Sequence, residues 1–246
     1  MSDPVTVVPT RWVRVRASVL DRLAAAAIGV VLAPVIAICG CLVRREDGPP
    51  SLVKLARVGR DGAHFDMWKL RSMRVDAADG LASGSVITST VDDRITSVGR
   101  ALRRRRLDEL PQVWNVVRGE MALFGPRPET PAMVDAADPS WQAVLAVRPG
   151  ITGPTQLVAD LWEAAVLTDV DPQRRYREEV LPVKLAVDRW YVERASPALD
   201  VVVVWSMFQR FVLGRSVTAV DRVVRSECPE AGSIPTVAAG ARPAAP

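Results

Sequence analysis

A chain of 246 residues is long enough for one substantial core, or for one core together with a membrane segment. Its 32 lysines and arginines against 28 acids leave a net charge of +4, which suits an anionic partner: a membrane surface, a nucleic acid or a nucleotide. Three cysteines give no disulfide framework, and the single histidine, His64, argues against zinc or Ser-His-Asp chemistry.

Residues 1–16 read as an irregular segment, with Pro4 and Pro9 followed by Arg11, Arg14 and Arg16. Residues 23–43 then run without a charge, between Arg22 and the pair Arg44-Arg45. As a straight helix such a run is ~31 Å long, close to the ~30 Å hydrocarbon core of a bilayer. It is long for a signal peptide, and no convincing cleavage site precedes Arg44. Pro34 falls in the middle and predicts a kink, because it removes a backbone donor and crowds the preceding turn. Basic residues at both ends favour a helix that enters and leaves on one face of the membrane, since positive flanks stay inside. On these residues alone a Pro-kinked transmembrane helix stands equal to this re-entrant helix, placed at residues 17–45.

Residues 52–58 and 64–70 alternate in polarity around Gly59-Arg60-Asp61-Gly62, the pattern of a β-hairpin closed by an Asp-Gly turn. Residues 75–92 lack either periodicity and predict a loop, and residues 95–106 predict a basic helix. Leu107, Leu110, Trp114 and Val117 recur at helical spacing and predict one apolar face, with Asp108 and Glu109 in the first turn. Neighbouring helical residues point ~100° apart, which suits two roles for these carboxylates better than one shared proton. Residues 176–194 predict a long amphipathic helix. Residues 199–213 predict either a helix lying in a membrane interface, with Trp205 at the headgroups, or an ordinary core helix. From residue 226 the chain is rich in Ala, Pro and Gly and predicts a disordered tail, so the catalytic part is placed at residues 46–225.

The chemistry concentrates at Asp108-Glu109, directly after Arg103 to Arg106. A carboxylate among cations stays ionised, an ionised Asp can act as a nucleophile, and a neighbouring Glu can hold a divalent cation. Arginines are the usual anchors of phosphate oxygens, so phosphoryl-type chemistry follows. The plainer alternative is a solvated helix start whose charges match the macrodipole.

The surrounding sequence weighs against that alternative. Asp93 to Arg100, Leu107-Asp108-Glu109-Leu110-Pro111-Gln112 through Val116, Gly119-Glu120-Met121 and Gly125-Pro126-Arg127-Pro128-Glu129 together resemble the bacterial sugar transferase family. Arg57-Val58-Gly59-Arg60-Asp61-Gly62, Trp68 to Met73 and Arg148-Pro149-Gly150-Ile151-Thr152-Gly153 resemble it too, in the family's order, and the resemblance covers residues 20–212. It implies a mainly α fold with a small β-hairpin, monotopic in the membrane and carrying an N-terminal re-entrant helix. Ala33-Pro34 stands at the bend where members commonly have Ser-Pro.

The resemblance also implies the reaction: transfer of a sugar 1-phosphate from a UDP-sugar to a polyprenyl phosphate such as undecaprenyl phosphate, with release of UMP. It implies Asp108 as nucleophile and Glu109 as the ligand of Mg2+, with Arg103, Arg127 and Arg148 binding substrate phosphate. The expected setting is the cytoplasmic face of the plasma membrane, with the lipid bilayer as a partner, no nucleic acid, and room for a homo-oligomer. Lys69 and Arg71 match a family motif and are expected to tie the hairpin to the core. One departure stands out: Asp160 occupies a place where an arginine is expected, so either Arg174 or Arg175 compensates or the sugar pocket differs. Two readings of other classes remain, a nucleic-acid-binding module using Arg100 and Arg103 to Arg106, and a catalytically silent membrane scaffold. The first lacks a recognition motif, and the second gives Asp108, Glu109 and Arg127 no chemical task.

Overall fold

A computed structural model describes residues 9–75, 93–166, 172–211, 213–215 and 218–235. Over these residues the chain is mainly helical, with one antiparallel hairpin and one short parallel strand pair. Helix α1 (Arg11–Val15) begins at Thr10, whose hydroxyl accepts from the Val13 N–H at 3.3 Å. It continues through a π-helical turn, Arg16–Leu20, into α2 (Asp21–Asp47). The irregular segment expected up to residue 16 is therefore helical from Arg11 onward, because Thr10 supplies a cap directly after Pro9. Pro34 lies inside α2, and the helix ends at Gly48, whose φ of 69° takes the chain out of the helical region.

Both ends of α2 are tied to the same folded body. Arg16, placed by the sequence in the basic segment before the apolar run, is buried, paired with Asp21 at 3.3 Å and with Asp200, and donating to the Tyr191 hydroxyl. Asp21 accepts from the Leu123 N–H, and Arg22 donates to the Arg118 carbonyl. At the far end Cys39 and Val43 pack with Leu70 and Leu102, and Glu46 accepts from the Ser97 and Val98 N–H groups at 2.9 Å each. Between these anchorages the surface is apolar and open: Val30 and Val31 are 77% and 73% exposed. The helix is long and apolar enough to cross a membrane.

Strands β1 (Leu52–Val58) and β2 (His64–Leu70) pair in the register Leu52 with Leu70 through Val58 with His64, as the alternation predicts. Asp61 and Gly62 both have positive φ, 58° and 76°, the left-handed pair that an Asp-Gly turn supplies. Helix α3 (Ser97–Arg104) follows, capped by Thr96 onto the Gly99 N–H at 2.9 Å. A Cβ on Gly99 would stand 2.1 Å from the Ser72 carbonyl oxygen, so only glycine lets α3 lie this close to the end of the hairpin.

Helix α3 is shorter than the expected 95–106, because Arg106 adopts φ 52° and breaks it. A single 3-10 turn, Leu107–Glu109, then precedes α4 (Gln112–Arg118). The apolar face expected from Leu107, Leu110, Trp114 and Val117 does not form, and Trp114 is 54% exposed. The buried set is Asp108, Glu109, Pro111, Gln112, Val113, Asn115 and Val116. Two short helical pieces with a break between them share no common 3.6-residue phase, so the periodicity was misleading.

Strand β3 (Ala122–Phe124) runs parallel to β4 (Gly150–Thr152), with α5 (Pro139–Leu145) between them. A Cβ on Gly150 would meet the Gly125 nitrogen at 2.1 Å, so this glycine permits the close pairing that holds residues 125–129 in place. Helices α6 (Pro154–Val166), α7 (Pro172–Arg175) and, after a π turn at Tyr176–Val180, α8 (Leu181–Arg194) complete the centre. Helix α8 was expected to be amphipathic; it is a central helix, with Leu181, Lys184, Leu185, Val187, Asp188, Trp190, Tyr191 and Val192 all buried.

Helix α9 (Pro197–Phe211) buries Leu199, Asp200, Val203 and Ser206 and exposes Val201, Val204, Trp205 and Phe208. Helix α10 (Thr218–Glu227) is followed by a 3-10 turn at Pro229–Ser233. Cys228, Ala231 and Ile234 are buried with Val220 and Val224 in the largest core cluster. The disordered tail expected from residue 226 is thus corrected through residue 235, where three small apolar side chains suffice to dock the segment. Residues 236–246, and the expected loop from residue 76 to 92, lie outside the described residues.

Candidate active site

Four parts of the chain bring charged side chains to one place. Asp108 and Glu109 come from the 3-10 turn after α3, Lys69 from the end of β2, Arg127 from the segment after β3, and Arg106 from the residue that breaks α3. Both carboxylates are buried, at 1% and 8% exposure, so this is not a solvated helix start. Lys69 Nζ lies 2.8 Å from Asp108 Oδ2 and 3.7 Å from Glu109 Oε1. The contact with Asp108 is an ion pair without hydrogen-bond geometry, because Oδ2 is buried and accepts no directed bond.

Glu109 is gripped from two sides. Arg127 approaches it with both terminal nitrogens, Nη2 to Oε1 at 2.7 Å and Nη1 to Oε2 at 3.3 Å. Arg106 Nη1 adds a contact to Oε2 at 3.4 Å. Burial raises the carboxyl's proton affinity, but Arg127, Arg106 and Lys69 outweigh it and hold Glu109 well below the usual carboxylate range. Glu109 in turn raises the already high pKa of Arg127, against the effect of burial. Burial and the nearby Arg127 both lower the pKa of Arg57 on β1.

The sequence-predicted residues divide. Arg127 meets Glu109 directly, and Lys69 links Glu109 to Asp108. Arg103, on α3, donates from Nε to the Ser72 hydroxyl at 2.8 Å. Arg148 does not join them: it turns toward the N-terminal helix and donates to the Ala17 carbonyl. Lys69, expected only to fasten the hairpin, sits against both carboxylates, while Arg71 does fasten it, donating to the carbonyls of Asp47 and Gly48 at 2.9 and 2.7 Å. Sequence reasoning underrated Lys69 and gave Arg106 no separate role. The family motif that holds Lys69 was the usable signal for it, whereas nothing local marked Arg106.

A second charged cluster lies directly behind. Lys184 Nζ contacts Glu129 Oε1 at 3.2 Å and Glu163 Oε2 at 2.9 Å, and donates to the Tyr176 hydroxyl at 2.7 Å. Tyr176 donates to Glu129 at 2.6 Å. Burial opposes the charge on Glu129, but Lys184 and the Tyr176 hydrogen bond lower its pKa.

Among the described residues no group of three or more His, Cys, Asp or Glu side chains could cage a metal. Mg2+ in phosphate chemistry needs only one or two carboxylates, the remaining oxygens coming from water and the substrate. Adjacent Asp108 and Glu109, with Oδ2 of Asp108 buried and unbonded, fit that donor set.

The family model for bacterial sugar transferases matches residues 12–214, and the chain belongs to that family. It is similar to the UDP-glucose:undecaprenyl-phosphate glucose-1-phosphate transferase of Caulobacter vibrioides, with 36% identity over 176 residues, 66% of this chain and 64% of that one. It is also similar to the undecaprenyl-phosphate glucose phosphotransferase of Komagataeibacter xylinus, with 30% identity over 84% of this chain and 38% of the relative. The exopolysaccharide production protein ExoY of Rhizobium meliloti shares 30% identity over 79% of this chain and 84% of its own length. The matched part spans 64% of the first of these relatives and 38% of the second.

Proposed function

We propose that the protein transfers a sugar 1-phosphate from a UDP-sugar to undecaprenyl phosphate or a related polyprenyl phosphate, the first step in building a polysaccharide or glycoconjugate. The observation that carries this reading is the buried Asp108-Glu109 pair, faced by Lys69, Arg106 and Arg127 within 3.7 Å. With Asp160 paired to Arg106 and Arg210, four cations stand against three carboxylates, a surplus of positive charge that favours an incoming anion, and the named activities of the relatives supply the class of donor and acceptor.

A carboxylate of Asp108 attacks the sugar-bearing phosphorus of the donor. The bond from that phosphorus to the bridging oxygen breaks, UMP departs, and a phosphosugar remains on Asp108 as an acyl phosphate. An oxygen of the polyprenyl phosphate then attacks the same phosphorus and displaces Asp108, which leaves as the free carboxylate. Lys69, 2.8 Å from Asp108 Oδ2, holds the carboxylate in place between turnovers, and Arg127 binds the phosphate oxygens as charge moves across the site. Glu109 would hold Mg2+, which would supply neutralisation of diphosphate charge. Incubation with a panel of UDP-sugars should release UMP, and without acceptor a phosphosugar adduct should be found on the Asp108 peptide by mass spectrometry. Asp108→Asn should do neither while remaining folded, and UMP release by that variant would reject the nucleophile.

The membrane reading is monotopic, with α2 re-entrant and the catalytic body on the cytoplasmic face, where nucleotide sugars occur. Its support is the anchorage of both flanks on one body: Arg16 before the apolar run is buried against Asp200, and Glu46 after it caps α3. A helix whose ends crossed to opposite sides would have to give up one of these anchorages. The open apolar face of α9, with Trp205 and Phe208 stacked at 5.7 Å, offers a second contact with the interface. A cysteine at the exposed Arg14, in a chain otherwise free of cysteine, should resist an impermeant thiol reagent in intact cells and react after lysis. Labelling from outside would mean a spanning helix.

A further inference from the structure

Asp160 stands on α6, and the transfer chemistry above assigns it no task. Each of its oxygens faces a different arginine. Oδ1 lies 2.5 Å from Arg106 Nη2, and Oδ2 lies 2.9 Å from Arg210 Nη2 at the end of α9. Arg174 and Arg175, the candidates to stand in for the arginine expected at this place, are instead paired with Glu178 and Glu179 one turn further on. Phe211 lies against both guanidiniums near Asp160, its ring centre 5.7 Å from Arg106 and 5.9 Å from Arg210.

Arg106 uses its other terminal nitrogen on Glu109, at 3.4 Å, the outer limit of a hydrogen bond. That contact is too long to orient a flexible side chain, whereas the 2.5 Å pair with Asp160 is short and charge-assisted. Arg106 also leaves a left-handed backbone, so the preceding helix does not aim it. Its direction is therefore set from α6 and α9. We propose that Asp160 is a positioning residue: it fixes Arg106 against Glu109, and Arg210 with Phe211 fixes Asp160. The inference rests on the transferase reading above and extends it to a strut between the site and α9.

The test uses the full chain in detergent with a UDP-sugar that the wild type consumes. Asp160→Asn should lower kcat roughly tenfold or more and leave the donor KM within about twofold, the pattern of an interaction that matters in the transition state. Arg210→Gln should give a similar loss, and the double variant should be no worse than the poorer single, because the two residues act as one unit. Asp160→Glu, which keeps the carboxylate, should recover most of kcat. Loss of stability alone would lower the yield of folded protein and leave kcat per folded molecule unchanged. Wild-type kcat in Asp160→Asn, a change confined to KM, or losses that multiply in the double variant would each overturn the strut. If Asp160→Asn does not fold, Arg210→Gln and Asp160→Glu decide in its place. A wild type that consumes no UDP-sugar overturns the transferase reading and this inference together, whereas an active wild type beside an equally active Asp160→Asn overturns the inference alone.

Discussion

The cluster around Lys184 and the cluster around Asp108 are both buried, and both draw on the segment from Arg127 to Glu129, yet they are finished to different degrees. Lys184 places its ammonium group on Glu129, Glu163 and Tyr176, and Tyr176 closes the loop onto Glu129. One cation meets two carboxylates, and none of the four side chains leaves a buried polar atom without a hydrogen bond. Around Asp108 four cations, Lys69, Arg106, Arg127 and Arg210, meet three carboxylates, Asp108, Glu109 and Asp160, and Asp108 Oδ2 is buried without a hydrogen bond. A closed network of charges holds a fold in one arrangement, while an open one with surplus positive charge has capacity left for an anion. The same residue types serve structure in one place and binding in the other, and satisfaction of the polar atoms tells them apart.

Exchanging the roles of the two lysines is the most direct way to break this contrast. Lys69→Met should lower kcat/KM on the order of 100-fold, comparable with removing one electrostatic stabiliser of a transition state, with little change in denaturation midpoint. Lys184→Met should do the reverse. It strands Glu129 and Glu163 without their cation and should cost about 3–5 kcal/mol of stability, read by chemical denaturation, while kcat per folded molecule stays within about threefold. Equal stability losses in the two variants would erase the distinction.

A smaller effect sharpens it. Asp188 borders the closed cluster, accepts a hydrogen bond from Thr155, and is pushed by burial up to about 7, against the opposing pull of Thr155 and Lys184. Between about pH 4 and 7 the folded state retains a proton that the unfolded chain releases, so this group makes stability fall as pH rises through that window. Asp188→Asn should remove the slope. The gap in unfolding free energy between variant and wild type should widen in the variant's favour by roughly 2 kcal/mol from pH 5 to pH 7. A constant gap would mean that Asp188 is ionised throughout.

Parts of this molecule were legible residue by residue because the forces that decide them are local. The hairpin followed from alternation and from Asp61-Gly62, which accept a left-handed turn at little cost. The apolar helix followed from its uncharged run, and the Asp108-Glu109 pair from its arginine-rich setting and its neighbouring motif. Other parts depended on contacts between residues far apart in the chain. Arg16 reads as a flanking charge until Asp200, 184 residues later, is brought beside it. Cys228, Ala231 and Ile234 read as tail until Val220 and Val224 cover them. Lys69 and Arg106 read as ordinary basic residues until folding places them against Glu109, and Asp160 looks out of place until Arg106 and Arg210 close on it. Turn chemistry and hydrophobic runs are written in consecutive residues. The ion pairs that make a site depend on distances of a few ångströms between segments that only the tertiary structure brings together.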